Sequence, residues 1–154
     1  MPDAATFRGR YQHTIDPKGR LSVPAKYRDI LARYESKTLI VVPNEHSALE
    51  VHPLEEWEKL EAQINEKSSR FDAEVRRVGR LYISRAKEIE LDGNGRVLLP
   101  NDSRRDAGLV KDVTLVGPGK SYFEVWDRVR FDEWERVNGD GLASGFERLS
   151  QLGV

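Results

Sequence analysis

The chain has 154 residues, with 25 Lys and Arg against 26 Asp and Glu, three His and no Cys. The lack of cysteine excludes disulfides and thiolate-bound zinc or iron–sulfur clusters, and it suits a reducing compartment. The longest aliphatic run, Leu39–Val42, is far too short to cross a membrane, and residues 1–8 contain no apolar segment of a signal peptide, so we expect a cytoplasmic protein without a membrane partner.

The first part of the chain predicts two strands, a short helix, two more strands and a longer helix, in that order. Alternating apolar residues between His13 and Val23 are typical of half-buried strands, and Asp16-Pro17-Lys18-Gly19 between them has the residues of a type I turn. Pro24 suits the first turn of a helix that reaches Tyr34, and a second strand pair follows between residues 39 and 52. The next helix begins at Pro53 and is predicted to turn four apolar residues inward: Leu54, Trp57, Leu60 and Ile64.

Residues 67–82 are predicted to form a helical connector, with Phe71, Val75 and Val78 on its apolar side. The pattern then repeats at a nearly constant offset of 76 residues, which pairs Asp16, Gly19, Arg20 and Pro24 with Asp92, Gly95, Arg96 and Pro100. We infer a tandem duplication, because collinear matches of this kind are the signature of internal repeats. The predicted units are residues 7–66 and 83–137, and residues 138–154 form a tail with a weak helix.

Charge is uneven along the chain, although the net charge is only −1. Residues 8–33 hold seven basic and two acidic groups, whereas the matching window at residues 84–109 holds five of each. Two explanations stay open at this stage. The charges are either clustered by chance on a solvated surface, or they mark a repeated unit with a basic front half and an acidic back half.

The pattern Asp-x-x-x-Arg occurs at residues 16–20 and again at 92–96, each time followed by an apolar residue, Pro and a predicted helix. This duplicated pattern resembles the MraZ family of bacterial transcriptional regulators, and the similarity covers about residues 7–137. Four further segments match the family: Phe7-Arg8-Gly9, Arg76-Arg77, Val116-Gly117 and Phe123-Glu124-Val125-Trp126.

The resemblance implies an α+β fold of two tandem SpoVT/AbrB-like swapped-hairpin β-barrel units with flanking helices, related by a pseudo-two-fold axis within one chain. It also implies a nucleoid-associated protein that binds double-stranded promoter DNA and assembles into homo-oligomeric rings on short repeated boxes. Such a protein regulates, and usually represses, the bacterial division and cell-wall gene cluster.

The chemistry of the two turns suits DNA. A guanidinium reads a guanine edge by forking onto O6 and N7, and a tight turn fixes the backbone from which Arg20 and Arg96 project. Asp16 and Asp92 repel phosphate, so we interpret them as turn formers that accept backbone N–H bonds. The alternative is that each Asp and Arg form only a structural ion pair of the hairpin, and the sequence leaves this open.

The predicted DNA-contacting residues are basic side chains in or near the two hairpins: Arg8, Arg10, Lys18, Arg20, Lys26, Arg28 and Arg96. The predicted structural residues of the turns are Asp16, Gly19, Asp92 and Gly95. Because the first window carries the larger positive charge, we expect the first hairpin to dominate phosphate attraction, with the second a weaker contact or a structural copy.

The remaining motifs favour structural roles. Trp57, Trp126 and Trp134 recur on apolar faces, so we expect core anchors rather than base-stacking platforms. The sequence has no His-x-x-x-His pair and no nucleophile-elbow motif, so we expect no metal site, cofactor, small-molecule substrate or enzymatic activity. The rival to DNA binding is an antitoxin-like protein-interaction module whose acidic helices, at residues 54–66 and 131–137, form the working surface.

Overall fold

The structure is a computed structural model that describes residues 6–154. The first half of the chain forms β1 (Phe7–Thr14), β2 (Arg20–Ser22), α1 (Ala25–Leu31), β3 (Thr38–Pro43), β4 (Leu49–Pro53), α2 (Leu54–Lys67) and α3 (Ala73–Leu81). The second half forms β5 (Lys87–Glu90), β6 (Arg96–Leu98), α4 (Asn101–Asp106), β7 (Asp112–Lys120), β8 (Phe123–Asp127), α5 (Arg128–Asn138) and α6 (Leu142–Gln151). Short 3₁₀ turns lie at Ile83–Arg85 and Gly139–Gly141. The predicted α+β class is confirmed.

Six strands form one antiparallel sheet in the order β1-β7-β8-β4-β3-β5, and β2 pairs with β6 in a separate two-stranded ladder. The order is symmetric about the contact between β8 and β4, because β1, β3 and β4 of the first repeat correspond to β5, β7 and β8 of the second. The sheet therefore has a pseudo-two-fold axis at its centre. Over residues 6–154, no helix combines the length and apolar character that a membrane span requires.

The two repeats exchange strands. β1 of the first repeat pairs with β7 of the second, with Arg10 opposite Val116, and β5 of the second repeat pairs with β3 of the first, with Leu39 opposite Ile89. Only the central β4–β8 contact joins equivalent strands of the sheet. Each repeat therefore depends on the other for the hydrogen bonds of its first strand.

The main core is built from both repeats and follows the predicted strand alternation. Ile15, Leu21 and Val23 are buried, as period-2 burial requires. Of their counterparts, Val97 and Leu99 are buried and Leu91 is partly buried against the same core. An aromatic cluster closes the centre of this core. The Tyr27 ring lies 5.3 Å from Phe7 and 4.9 Å from Phe123 between ring centroids, and its hydroxyl donates to the carbonyl of Gly9 at 2.6 Å.

The predicted connector helix is interrupted. α2 continues to Lys67, the chain is extended at Ser68, and α3 begins only after Asp72, whose carboxylate accepts the N–H groups of Glu74 and Val75 at 2.9 and 3.2 Å. This N-cap explains the new start, because an aspartate in that position satisfies the free N–H groups of a first turn. Phe71 lies in the break and is 75% exposed, so its predicted place on an apolar helix face was wrong.

The prediction that all three tryptophans are core anchors was wrong for Trp134. Trp57 and Trp126 are 3% and 4% exposed, whereas Trp134 is 38% exposed. Trp57 is covered by Tyr82, at 5.6 Å between ring centroids, and by neighbouring apolar residues of the segment that follows α3. Trp134 packs beside Trp126 and Phe131, but no residue from beyond α5 joins that cluster in the part of the chain that the structure describes.

Candidate nucleic-acid interface

The first turn, residues 16–20, is held by the carboxylate of Asp16. Its Oδ1 accepts the N–H groups of Lys18 and Arg20, each at 2.9 Å, and its Oδ2 accepts from Arg20 Nε at 2.6 Å. The Gly19 N–H closes the turn onto the Asp16 carbonyl at 2.9 Å, and Gly19 has φ = +90°. One side chain therefore fixes both the backbone of the turn and the side chain that leaves it.

The second turn, residues 92–96, repeats this geometry with a looser ion pair. Asp92 Oδ1 accepts the N–H groups of Asn94 and Arg96 at 2.8 and 3.0 Å, but Arg96 Nε lies 3.7 Å from Asp92 Oδ2. At that distance the pair is an electrostatic contact without a hydrogen bond. Arg96 is therefore held less tightly than Arg20.

The hydrogen bonds of each turn lower the pKa of its aspartate. The Arg20 backbone N–H is the largest cause for Asp16, and the Arg96 backbone N–H is the largest for Asp92. Both carboxylates therefore stay ionised well into the acid range. The charge of Arg20 also lowers the pKa of Asp92, because the two turns lie close together across the β2–β6 ladder.

The ladder between β2 and β6 joins the two turns. Arg20 lies opposite Leu98, and Ser22 lies opposite Arg96. Two reciprocal hydrogen bonds extend the ladder into the turns, from Leu99 N to the Gly19 carbonyl and from Val23 N to the Gly95 carbonyl, each at 2.9 Å. The two arginines are thus placed at symmetric positions on one rigid unit.

Each turn also contacts an arginine from the other repeat. A Cβ on Gly19 would lie 2.9 Å from Arg104 Cζ, and a Cβ on Gly95 would lie 2.7 Å from Arg28 Cδ. These arginines are anchored, since Arg28 Nε donates to the Val23 carbonyl at 3.1 Å and Arg104 Nε donates to the Leu99 carbonyl at 3.2 Å. Glycine is favoured at both positions by the positive φ, +90° at Gly19 and +74° at Gly95, and a Cβ there would also displace the neighbouring arginine side chain.

This exchange explains a residue that the sequence-based site missed. Arg104 is the repeat counterpart of Arg28, but it was not among the predicted DNA-contacting residues. Its match at the offset of 76 residues was the available signal, whereas its place beside the first turn depends on the fold. Basic side chains near the first turn are thus Lys18, Arg20 and Arg104, and those near the second are Arg28 and Arg96.

The other predicted residues lie elsewhere on the surface. Arg8 and Arg10 are exposed on β1, an edge strand of the six-stranded sheet, and Lys26 is exposed on α1. Arg10 forms an ion pair with Glu135, and its Cζ lies 4.9 Å from the centroid of the Phe131 ring. These contacts offset the charge of Arg10 and join β1 to α5. Arg10 would therefore have to give up its ion pair with Glu135 to make the predicted contact with DNA.

The predicted acidic working surface is partly occupied by internal contacts. Glu55 on α2 accepts the backbone N–H groups of Glu35 and Ser36 at 3.0 and 3.3 Å. On α5, Glu133 accepts from Arg136 Nη2 at 2.6 Å, and Glu135 pairs with Arg10. Within residues 6–154, no group of three or more His, Asp or Glu side chains is arranged to hold a metal ion.

Comparison with known proteins matches the repeat structure. A family model described as "MraZ protein, putative antitoxin-like" matches twice, at residues 6–81 and 82–152. A protein of Thioalkalivibrio sulfidiphilus named "Transcriptional regulator MraZ" is 41% identical over 83% of this chain and 87% of its own length. Proteins of the same name from Nitrosospira multiformis and Acetivibrio thermocellus are 40% and 37% identical, over 94% and 96% of this chain and 99% of their own lengths. The double match and these relatives show that the chain belongs to the MraZ family.

Proposed function

We propose that the chain is a transcriptional regulator that binds double-stranded promoter DNA through the two Asp-x-x-x-Arg turns. The observation that carries this proposal is the pair of arginines, Arg20 and Arg96, at symmetric positions on the β2–β6 unit. Paired base-reading groups on a two-fold unit suit a duplex, whose two strands are themselves related by two-fold symmetry. The names of the relatives support the same class of function.

Arg20 is the stronger candidate for base readout. Asp16 holds its Nε, and within residues 6–154 no group accepts a hydrogen bond from its two terminal nitrogens. A guanidinium carries five N–H donors, so the terminal nitrogens keep donors for guanine O6 and N7. The Asp–Arg ion pair and DNA contact are therefore compatible, because the ion pair orients the guanidinium through Nε and leaves the donors of its terminal nitrogens available.

The strand exchange also supports the finer fold assignment. We propose that the β1–β7 and β5–β3 pairings are those of two AbrB-like swapped hairpins closed into a barrel. The functional units are then residues 7–66 and 83–137, although neither contains a complete set of strand partners. Residues 67–82 link the units through α3, and the segment 138–154 lies outside the swapped unit.

The regulator is proposed to repress the division and cell-wall gene cluster as a homo-oligomer on repeated promoter boxes, at the nucleoid. Several weak subunit contacts on regularly spaced boxes add through effective concentration, so one chain needs only a modest affinity. It acts by binding rather than by catalysis. The acidic helices serve structure in this view, because Glu55, Glu133 and Glu135 already have internal partners.

The test is fluorescence anisotropy with labelled duplexes from the promoter of the chain's own operon and with scrambled duplexes, each at two salt concentrations. We expect tighter binding to the promoter duplex and a steep loss of affinity with salt, as phosphate contacts require. Equal binding to the promoter and scrambled duplexes would show that the chain binds DNA without recognising its sequence. No binding at low salt would favour the protein-interaction alternative.

A further inference from the structure

A cleft opens between α4 and the segment that leads from the 3₁₀ turn at residues 83–85 into β5. Its volume is about 340 Å³, and seven residues line it: Ser84, Arg85, Lys87, Asp102, Ser103, Arg105 and Asp106. We call it the α4 cleft. Six of these residues are exposed, whereas Ser103 is 2% exposed and therefore lies at the closed end. The volume is within the range of small-molecule sites, and none of the lining residues belongs to the two Asp-x-x-x-Arg turns.

In the first repeat, aromatic side chains occupy the place that corresponds to the α4 cleft. The repeat offset of 76 residues gives three pairs: Tyr27 and Ser103, Tyr11 and Lys87, Gly9 and Arg85. Tyr27 is fully buried, its ring lies 5.1 Å from that of Tyr11 between centroids, and its hydroxyl donates to the Gly9 carbonyl at 2.6 Å. In the second repeat a serine replaces this ring, and two long cations replace the residues that contact it. The cleft is therefore the place of an aromatic side chain that the second repeat lacks.

The backbone departs from the repeat at the same place. β1 is a strand from Phe7 to Thr14, whereas the corresponding residues 83–90 form a strand only from Lys87 onward. Residues 83–85 form the 3₁₀ turn instead. The residues in front of β5 thus lie beside α4 as a wall of the cleft and do not continue the strand.

The buried hydroxyl of Ser103 lacks a hydrogen-bond partner. Its Oγ is inaccessible in the empty cleft, and among residues 6–154 no group donates to it or accepts from it. Buried polar groups are nearly always paired, because an unpaired one gives up its hydrogen bonds to water without replacing them. Tyr27 meets this demand through the Gly9 carbonyl, but the counterpart of that residue belongs to the 3₁₀ turn. A polar group of a bound molecule would satisfy Ser103.

The charged groups that line the α4 cleft have both signs. Arg85, Lys87 and Arg105 are basic, and Asp102 and Asp106 are acidic. Arg105 Nη2 lies 2.6 Å from Asp102 Oδ1, so these two largely neutralise each other. In the part of the chain that the structure describes, Arg85, Lys87 and Asp106 form no ion pair. Two cations and one carboxylate are therefore available to a ligand.

We propose that the α4 cleft binds a small phosphorylated sugar or polyol. A phosphate monoester carries up to about two negative charges at neutral pH, which matches the two available cations, Arg85 and Lys87. Its oxygens accept from the Ser103 hydroxyl, and Asp106 accepts from a hydroxyl of the sugar. The site lies apart from the proposed DNA-reading turns, so the proposal goes beyond DNA binding and does not depend on it.

The first experiment is isothermal titration calorimetry on the full chain without DNA. The probes are glucose 6-phosphate, inorganic phosphate and glucose, at matched ionic strength. We expect saturable binding of glucose 6-phosphate, with a dissociation constant about tenfold or more below those of inorganic phosphate and glucose, because both parts of the ligand contribute. Equal dissociation constants for glucose 6-phosphate and inorganic phosphate would show an adventitious anion site only. That result, or no saturable binding of glucose 6-phosphate at millimolar concentrations, would overturn the proposal.

The second experiment locates the bound molecule with three variants. Ser103→Tyr restores the ring that the first repeat has at Tyr27, so it should abolish binding of glucose 6-phosphate without lowering the melting temperature. Ser103→Ala removes only the hydroxyl and should weaken binding. Lys87→Gln removes one exposed cation and should weaken binding about tenfold at an unchanged melting temperature.

The control is Lys120→Gln, since Lys120 is also exposed but does not line the cleft. It should bind glucose 6-phosphate like the wild type. If Ser103→Tyr lowers the melting temperature, Lys87→Gln decides the location by itself. Wild-type affinity in Lys87→Gln, or an equal loss in Lys120→Gln, would overturn the assignment to the α4 cleft.

DNA also carries phosphates, so a last measurement separates the two sources. A scrambled duplex should bind Lys87→Gln and Lys120→Gln with equal affinity at one salt concentration, because each variant loses one exposed positive charge. A clearly weaker affinity of Lys87→Gln alone would assign the cleft to the DNA backbone and overturn the small-molecule proposal. The calorimetry contains no DNA, so a failure of the proposed DNA binding would leave its result unchanged.

Discussion

Arg104 of the second repeat lies against Gly19 in the turn of the first repeat, close enough that a Cβ on this glycine would meet its guanidinium at 2.9 Å. The local charge of each turn is therefore set by both repeats. The first turn gains Arg104, and the second gains Arg28.

Arg104→Ala should weaken DNA binding more than Arg105→Ala, although the two residues are neighbours with the same charge. Arg104 stands at the first turn, whereas Arg105 pairs with Asp102 at 2.6 Å on the exposed side of α4. The loss of the bond to Leu99 should also lower the free energy of unfolding by about 0.5–1.5 kcal/mol. Gel shifts and urea denaturation measure the two effects. Equal DNA affinities for the two variants would show that Arg104 has no part in binding.

Arg20→Ala should reduce the affinity for the specific duplex by about 1–3 kcal/mol per engaged subunit, because it removes one forked base contact. Arg20→Lys should keep much of the salt dependence but lose discrimination, since an ammonium group cannot form the fork. Arg96→Ala should cost less affinity than Arg20→Ala. Anisotropy titrations on matched and scrambled duplexes give all three values, and light scattering checks assembly. A larger binding defect for Arg96→Ala, at unchanged stability, would reverse the assigned roles of the turns.

Asp16→Asn should change specificity and nonspecific affinity in opposite directions. The substitution removes a negative charge near phosphate, so binding to scrambled DNA should strengthen. It also weakens the 2.6 Å contact that aims Arg20, so the preference for the promoter duplex should fall. The ratio of the two dissociation constants at one salt concentration is the measurement. A preserved ratio would mean that Asp16 does not orient the guanidinium.

Acid should destabilise the fold through the two turn aspartates. Hydrogen bonds hold the pKa of Asp16 and Asp92 below the ordinary value of 3.8, so both favour the folded state above that pH and stop doing so as the pH falls through their folded-state pKa. Thermal melts of the wild type and of Asp16→Ala with Asp92→Ala should differ most near neutral pH and converge in strong acid. A difference that stays constant from neutral to strong acid would contradict this origin.

The paired tryptophans should differ in their effect on stability. Trp57→Ala removes a buried ring and should cost about 3–5 kcal/mol of unfolding free energy. Trp134→Ala removes a partly exposed ring, so we expect a cost of about 1–2 kcal/mol. Denaturation in urea, with circular dichroism as the signal, compares them. Equal costs would indicate that Trp134 is buried in solution, as it would be beneath another chain.

The local elements were predictable because their causes are local. Asp16 and Gly19 specify a turn by their own side-chain chemistry and backbone freedom, and the structure has that turn. The alternation through Leu21 and Val23 likewise decides which face of a strand is buried. The repeat offset then transfers both results to the second half of the chain.

The long-range relationships were not predictable from these patterns. Period-2 alternation shows which side of β1 faces the core, but it carries no information on whether the partner is β3 or β7. The exposure of Trp134 depends on a covering segment, which Tyr82 supplies for Trp57 alone. The place of Arg104 beside Gly19 depends on the same exchange and so was missed.

The exchanged strands also constrain how the chain folds. β1 can form its ladder only with residues 112–120, and β5 only with residues 38–41, so much of the sheet must wait for pairings between distant parts of the sequence. Contacts of such high sequence separation slow folding and delay the burial of apolar strands. During synthesis the first repeat has no partner for its leading strand until most of the second repeat has been made. The two repeats therefore form one folding unit, and neither can complete its sheet alone, although the sequence consists of two similar halves.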